Sequence, residues 1–385
     1  MATAPVPDTM RIGLVAPPVL PIPPRAYAGT ERVVAALADG LVERGHEVTL
    51  FASGDSTTAA RLVTTVPVST WTTGGRLHDA AAYMRTAEIV ARRATRLHLD
   101  LVHSHIEAFG LPLVRRLPMP VLTTLHLNPS LNGTARVLVA YPDAPLVAIS
   151  GSQRRELPGG NWIATIHHGL RLDGMSWSPA AGRYLLLVGR AAPEKGVAEA
   201  IEIARQVQMP LRIVAKVREP DEIEYFGRVI RPALHDGLVT FLGELNSAAR
   251  DAELAGAYAT LMMGDWPEPF GLVSIESMAA GTPVIGRARG ALPEIVRDAM
   301  DGFVVEDVPE AVAVVDRVRD LDRAAIRRAA LARFSAHRMV GDYETAYRRA
   351  IGEQAPVPMS GRAIPVPPKV AGDARIGADL PLHSR

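Results

Sequence analysis

Two glutamates in one short segment carry the clearest chemical signal in this 385-residue chain. The segment, WPEPFGLVSIESMAAGTPVIGRARG at 266–290, has Glu268 in a loop and Glu276 in the second turn of the helix predicted to follow. Gly271 would let the backbone approach a ligand closely, and the unpaired amides at a helix start favour an anion. A carboxylate beside such a helix end suits a sugar joined to a phosphate, although the spacing alone also occurs on ordinary helices.

A second segment, VGRAAPEKG at 188–196, leaves a predicted strand and enters a predicted helix. Arg190 and Lys195 would therefore lie at the carboxyl end of that strand. Arginine makes forked contacts with phosphate oxygens, and lysine supplies a point charge. Two cations and a helix start can neutralise a diphosphate leaving group without a metal. The plainer interpretation is a helix start with solvated charges.

Other candidate residues give weaker signals. His126 ends a predicted strand, TTLH, where a histidine is more often structural than catalytic. His103 and His105 share one face of a strand, a spacing that a metal ion can use, but polar lining of a crevice is favoured. The D-x-D at 320–322 imitates metal-dependent sugar transfer, yet its place among arginines favours a solvated helix end.

Short β-branched runs alternate with helical patterns along the chain, which is typical of parallel α/β sheets. Strands of the first half are predicted at 11–16, 46–52, 100–105, 121–126, 146–150 and 162–167, with helices from about residue 30 and over 77–97. The pattern then restarts, with strands at 184–189, 211–215, 239–242, 259–263 and 283–286 and helices at 194–206, 271–280 and from 310 to 351.

A join rich in Ser, Pro and Gly at 175–182 divides the two halves. We therefore expect two doubly wound, Rossmann-like α/β domains, at 1–176 and 177–334, with a ligand in the crevice between them. The proline-rich loop after the first strand is either a rigid connector or an apolar wall for an acceptor. Residues 353–385 hold six prolines and little periodicity, which predicts a disordered tail.

Composition excludes several classes of protein. The 42 basic and 41 acidic side chains give no electrostatic signature of a nucleic-acid binder. The absence of cysteine rules out thiolate zinc sites, iron–sulfur clusters and disulfides. No secretory signal and no window of ~18 uninterrupted apolar residues is apparent, so we expect a cytoplasmic protein. Contact of Arg85, Arg92 and Arg96 with an anionic membrane is possible but less favoured than a solvated helix face.

Together, EPFGLVSIE, AAGTPVI and VGRAAPEKG resemble the retaining glycosyltransferases of family four, the GT-B group that includes sucrose and sucrose-phosphate synthases. The opening RIGLVAPP and AGTERVVAALADGLVERGHEVTLFA is similar to the first strand, loop, helix and second strand of that family. The resemblance covers about residues 11–351. It implies a GT-B fold, in which a helix near 335–352 crosses back to the N-terminal domain.

The resemblance also implies roles for individual residues. Arg190 and Lys195 would hold the donor diphosphate, and Glu276 would bind the ribose hydroxyls. Glu268 would bind the hydroxyls of the transferred sugar. Further contacts are implied for the backbone amides of Phe270, Gly271 and Leu272, for His126 beside the anomeric carbon and for Gly29 beside the phosphates.

These implications define the expected function and its alternatives. We expect transfer of a hexose from a nucleotide sugar, with UDP-glucose as the default donor, to an unknown acceptor hydroxyl and without a metal or other cofactor. A nucleotide-sugar epimerase and a catalytically silent sugar-nucleotide-binding protein remain as alternatives. A nicotinamide-dependent oxidoreductase is disfavoured because no G-x-G-x-x-G follows the first strand. The run Gly290-Ala291-Leu292, where the family often has two glycines, leaves details of nucleotide and acceptor contact open.

Overall fold

The computed structural model describes residues 8–25, 28–73, 79–130 and 133–352. The predicted tail at 353–385 lies outside the described residues.

The first half of the chain forms a seven-stranded parallel sheet in the order β3-β2-β1-β4-β5-β6-β7. The inner strands are apolar and buried along almost their whole length, as strands covered by helices on both faces must be. The strands are β1 Arg11–Val15, β2 Glu47–Ser53, β3 Arg61–Val66, β4 Leu101–Ser104, β5 Val121–Thr124, β6 Leu146–Ala148 and β7 Trp162–Thr165.

The second half repeats this architecture with a six-stranded parallel sheet in the order β10-β9-β8-β11-β12-β13. Its strands are β8 Leu185–Arg190, β9 Leu211–Lys216, β10 Val239–Gly243, β11 Ala259–Met262, β12 Val284–Arg287 and β13 Gly302–Val305. In both sheets the strand order reverses beside the first strand. Ligands of doubly wound folds bind at the carboxyl ends of the strands at this reversal.

Helices pack against both sheets. Those of the first half are α1 Gly29–Glu43, α2 Ala80–Arg93, α3 Leu113–Arg116, α4 Thr134–Leu138 and α5 Gly151–Arg155. Those of the second half are α6 Val197–Val207, α7 Pro220–Tyr225, α8 Arg231–Ala233, α9 Ser247–Gly256, α10 Leu272–Ala279, α11 Leu292–Ile295, α12 Val308–Val315 and α13 Arg323–Phe334, followed by α14 Ala336–Gly352. A π-helical turn at Phe226–Ile230 joins α7 to α8, and single 3₁₀ turns lie at Glu107–Gly110, Pro193–Lys195, Leu234–Asp236 and Asp316–Asp320.

The last helix returns to the first domain. Helix α14 packs against α1, and its Glu344 accepts hydrogen bonds from Arg44 at 2.6 Å and from His46 at 2.8 Å. The chain thus crosses between the domains twice, and the two crossings lie side by side. The Leu170 amide donates to the Phe334 carbonyl at 3.0 Å, and the Ala336 amide donates to the Leu170 carbonyl at 2.9 Å.

The two-domain α/β fold and the inner strands agree with the sequence prediction, but three features differ. Strands β3 and β13 are not predicted; both lie at sheet edges, β3 is largely exposed or half-buried, and β13 is a four-residue strand that begins with a glycine. The helix predicted at 194–206 is interrupted. Gly196 adopts the left-handed region at φ +71° and separates a 3₁₀ turn from α6.

Removal of the Tyr347 hydroxyl tests whether its hydrogen bond to His103 stabilises the packing of α14 on the first domain. That hydroxyl lies 2.7 Å from Nδ1 of buried His103, and burial lowers the pKa of His103 to about 3. Tyr347→Phe would leave a buried ring nitrogen without its partner, which costs about 1–3 kcal/mol of unfolding free energy. Urea denaturation should show this loss, whereas Tyr141→Phe on a partly exposed ring should change stability little. Equal stabilities of the two variants would contradict the assignment.

Candidate active site

One cavity of about 570 Å³ opens where the carboxyl ends of the two sheets face each other. The loops after β1 and β4 line it from the first domain, and the loops after β8 and β11 line it from the second. These are the four strands that flank the reversals of strand order. Eight of the nine predicted site residues line this cavity: Gly29, His126, Arg190, Lys195, Glu268, Phe270, Gly271 and Leu272.

The two cations expected to meet a diphosphate lie on one wall and are paired with carboxylates. Lys195 Nζ lies 2.6 Å from Glu268 Oε2, and Arg190 Nη1 lies 3.1 Å from Glu222 Oε1. Arg190 also contacts Glu194. A phosphate that binds these cations would therefore compete with protein carboxylates.

Lys195 reaches the cavity because of the turn at Gly196. A Cβ at residue 196 would collide with the backbone of Met263, so this close approach and the positive φ both require glycine. The aliphatic stem of Lys195 packs over Gly189 in β8. The side chain of Lys195 is consequently fixed at the end of the strand instead of extending along a continuous helix.

Glu268 and the start of α10 form the adjacent wall. Gly271 caps α10 with φ +85°, so the first amides of the helix are presented at the cavity. The Phe270 ring contacts the rings of His167 and His168, with centroid distances of 5.7 Å and 5.0 Å. Gly29, at the start of α1, approaches this wall so closely that a Cβ there would lie 3.3 Å from Leu272.

Glu276, the ninth predicted residue, is fully buried and does not line the cavity. Its Oε1 lies 2.5 Å from Arg32 Nη1 of the first domain and 3.0 Å from Arg250 Nη2 of α9. Its Oε2 has no hydrogen-bond partner among the described residues. Arg250 itself lines the cavity, so the buried carboxylate is one side chain away from it.

His126 belongs to a buried histidine group that single-residue reasoning did not predict. Its Nε2 lies 2.9 Å from Nδ1 of His105, and its ring stacks on His168 at 5.1 Å. Burial lowers the pKa of His126 to about 3 and also depresses the pKa values of His105 and His168. These rings are therefore neutral near pH 7 and act as hydrogen-bonding groups, not as cations.

Two carboxylates that the sequence did not point to line the first domain's side. Glu31, in the first turn of α1, is only 7% exposed, and burial raises its pKa to about 7. Its own backbone amide and Lys216 across the cavity partly oppose this rise. Glu107 accepts hydrogen bonds from the amides of His126 at 2.7 Å and Leu127 at 3.2 Å. A charge in a helix's first turn, two residues after a ligand-facing glycine, is the signal that could have revealed Glu31.

Lys216 ends β9 and lines the cavity, where it meets a residue of the other domain. Its Nζ lies 4.2 Å from the centroid of the Trp71 ring, and the guanidinium of Arg218 lies 3.8 Å from the same ring. Arg218 also donates to the Trp71 carbonyl at 3.2 Å. Cations over an aromatic face attract it electrostatically, so Trp71 joins the domains at the rim of the cavity.

The structure also shows what the weaker signals in the sequence correspond to. Asp322 caps α13 by accepting from the amides of Ala324 and Ala325, which confirms the helix-end interpretation of the D-x-D. Across the described parts of the chain, no group of three or more His, Asp or Glu side chains is arranged to hold a metal ion. The same residues contain no helix that is both long and apolar enough to cross a membrane. Arg92 pairs with Glu88 at 2.7 Å on an exposed helix face.

Known proteins share both the sequence pattern and the fold. A profile for glycosyl transferases group 1 matches residues 178–336, and one for glycosyltransferase family 4 matches residues 27–185. A phosphatidyl-myo-inositol mannosyltransferase of Mycobacterium tuberculosis is 25% identical over 342 residues, which span 80% of this chain and 86% of that protein.

Two solved structures illustrate the likeness of fold. AviGT4, a glycosyltransferase involved in avilamycin A biosynthesis, is 27% identical with a TM-score of 0.69, over 89% of this chain and 98% of its own. HepE of Anabaena in complex with UDP-glucose is 16% identical with a TM-score of 0.67, over 88% and 99% of the two chains.

Two facing parallel-sheet domains with a shared cavity at their strand ends define the GT-B fold, which this chain shares with solved glycosyltransferases. The chain belongs to the family-four type of these enzymes, as the matches to its two halves show.

Glu31 gives this domain a pH-dependent stability. Because the folded-state pKa is about 7 and the ordinary value is 4.5, the neutral form stabilises the fold below pH 4.5, and that contribution is lost as pH rises through 7. Wild type should therefore lose about 3 kcal/mol of unfolding free energy between pH 4.5 and pH 8. Glu31→Gln, which has no carboxylate to ionise, should not show this loss. Urea denaturation at both pH values measures the loss. Glu47→Gln, on an exposed carboxylate, should follow wild type; a Glu31→Gln curve parallel to wild type would contradict the burial argument.

Proposed function

We propose that the protein transfers a hexose from a nucleotide sugar to an acceptor hydroxyl with retention of configuration. One observation carries the proposal: Arg190, Lys195, Glu268 and the amides at the start of α10 line one wall of a cavity that both domains close. Cations and helix amides suit the diphosphate, and the carboxylate suits the sugar hydroxyls. UDP-glucose is the first donor to test because the family resemblance favours it.

The departing diphosphate needs stabilisation as negative charge gathers on it. Arg190, Lys195 and the helix start would supply fixed positive potential without a metal ion. In this proposal the diphosphate takes the place of Glu268 beside Lys195, which frees Glu268 for the hydroxyls of the sugar. The ion pair at 2.6 Å supports such an exchange because both groups lie at the cavity surface.

Ribose recognition by Glu276 would require a rearrangement between the domains. Arg32, which pairs with Glu276, belongs to the first domain. Separation of the domains would release Arg32 and leave Arg250 as the remaining partner of the carboxylate. The unpartnered Oε2 supports a role for Glu276 in accepting a hydrogen bond from a sugar hydroxyl.

The chemical step would involve one bond broken and one bond formed at the anomeric carbon. The bond to the diphosphate oxygen breaks with its electron pair, and the acceptor oxygen bonds to the same face of the sugar. Because the acceptor attacks the face from which the diphosphate departs, no covalent enzyme intermediate is needed, and the acceptor's proton passes to the departing diphosphate. Neutral His126 would accept or donate a hydrogen bond beside the sugar, and closure of the domains would limit hydrolysis.

Two alternatives are distinguished by their products. A nucleotide-sugar epimerase would convert the donor into its epimer without an acceptor. A catalytically silent binding protein would bind the nucleotide sugar and release no nucleoside diphosphate. Product analysis with and without added acceptors therefore separates all three functions.

A panel of UDP-, GDP-, ADP- and TDP-sugars tests the proposal with Lys195→Ala beside wild type. The preferred donor should raise the melting temperature of wild type most, because a ligand that binds only the folded state stabilises it. Lys195→Ala should lower the rate of nucleoside diphosphate release at least ~100-fold, since the missing charge acts on the developing diphosphate.

The matched control is Arg205→Ala. Arg205 is an exposed cation of α6 that pairs with Asp236 outside the cavity. The control variant should turn over at the wild-type rate and have a melting temperature close to that of Lys195→Ala. Failure of every donor to stabilise wild type would refute the proposed function. A normal rate in Lys195→Ala would remove Lys195 from the diphosphate site.

Glu268→Gln separates recognition of the sugar from recognition of the nucleotide. The variant should bind the nucleoside diphosphate at least as tightly as wild type, because the carboxylate that competes for Lys195 is gone. It should lose transfer by ~100-fold or more, because a neutral amide accepts weaker hydrogen bonds from the sugar than a carboxylate does. Isothermal titration and a transfer assay give the two numbers. Glu202→Gln, on the exposed face of α6, should alter neither. Unchanged transfer in Glu268→Gln would exclude Glu268 from the site.

A further inference from the structure

The basic side chains that line the cavity all come from the second domain among the described residues. They are Arg190, Lys195, Lys216, Arg250, Arg287 and Arg289, and the same domain also places the carboxylates of Glu194, Glu244 and Glu268 on the wall. The described residues of the first domain contribute no lysine or arginine to the wall, and their charged side chains there are Glu31 and Glu107. An anionic donor suits the second domain, so the acceptor would meet the carboxylates of the first.

Glu31 is the carboxylate whose charge the protein itself leaves unbalanced. It is more than nine-tenths buried and lines the cavity, yet no arginine, lysine or histidine of the described chain lies within 4 Å of its oxygens. Lys216 acts on it only at longer range and packs on Trp71 instead. A buried ionised carboxylate is costly unless an opposite charge or hydrogen-bond donors compensate it.

The surroundings of Glu31 combine an apolar surface with unused hydrogen-bonding capacity. Pro17, Val19 and Leu20 line the cavity from the loop after β1, which favours the acceptor-wall interpretation of that loop over a mere connector. Nε2 of His105 is buried at the same wall and has no hydrogen-bond partner among the described residues. This half of the cavity therefore suits a compact ring that offers both carbon surface and polar substituents.

We propose that this half of the cavity binds an acceptor carrying a protonated amine close to its reacting hydroxyl, and that Glu31 selects it. An ammonium group balances the buried carboxylate, whereas a phosphate would face Glu31 and Glu107 without a cation from its own domain. The acceptor thus differs in charge from phosphatidyl-myo-inositol, the lipid for which the mycobacterial relative is named. The inference rests on the proposed function for the assignment of the two halves.

The test compares three rings that differ in one substituent: an amino-deoxyinositol, myo-inositol and myo-inositol 3-phosphate. Isothermal titration into the full chain at pH 7 gives a dissociation constant for each ring. We expect the amine to bind wild type at least tenfold more tightly than myo-inositol, and the phosphate to bind no more tightly than myo-inositol. These three constants decide the charge of the acceptor without any variant.

Two variants then assign the selectivity to one residue. Glu31→Gln should reduce the preference for the amine over myo-inositol to less than threefold, and should leave the affinity for myo-inositol unchanged. Glu47→Gln, which removes an exposed carboxylate of the same domain, should retain the full preference. A merely structural role of Glu31 would change all three affinities in parallel.

The inference is overturned if the phosphate binds most tightly, if the amine shows no binding or no preference in wild type, or if the preference survives in Glu31→Gln. Its failure is distinguishable from that of the proposed function because no donor is present in the titrations. Donor-dependent turnover without selectivity for the amine would refute the inference alone. Selectivity for the amine without stabilisation by any nucleotide sugar would refute the proposed function alone.

Discussion

Buried charge must be balanced, and this requirement organises the space between the two domains. The basic side chains on the cavity wall are held by carboxylates or by an aromatic ring: Arg190 by Glu222, Lys195 by Glu268, Arg250 by Glu276 and Lys216 by Trp71. Some of these partners come from the same domain and others from across the cavity. Any anion that binds here therefore competes with protein groups, and its binding energy is coupled to the contacts between the domains.

The sequence predicts the framework of the fold more completely than its edges. Inner strands such as β1 and β6 are mostly apolar on both faces, and this pattern is visible without the structure. Edge strand β3 alternates less clearly because one of its neighbours is missing, and β13 begins with a glycine. Burial alone does not decide which strands are predicted, since β10 is only partly buried and is predicted, whereas β13 is largely buried and is missed.

Some features of the candidate site can be recognised in the sequence, and others cannot. Arg190, Lys195 and Glu268 are recognisable because they stand in short segments beside strand ends and helix starts, where ligand chemistry concentrates. The partnership of Arg32 with Glu276 joins residues 244 positions apart and exists only because the domains meet. The histidine group around His126 likewise assembles from separate strands. Such pairings depend on tertiary geometry, which no local motif encodes.

The two neighbouring crossings at Leu170 and Ser335 determine how this enzyme can move. Two chain segments that are hydrogen-bonded side by side would favour rotation of the domains about an axis near that pair over sliding or full separation. Helix α14 continues from the second crossing and is packed against α1, so it turns with the first domain. A rotation that lifted Arg32 from Glu276 would also carry Trp71 away from Lys216. Access of a nucleotide to Glu276 and exposure of the acceptor wall would then come from the same rotation of the domains.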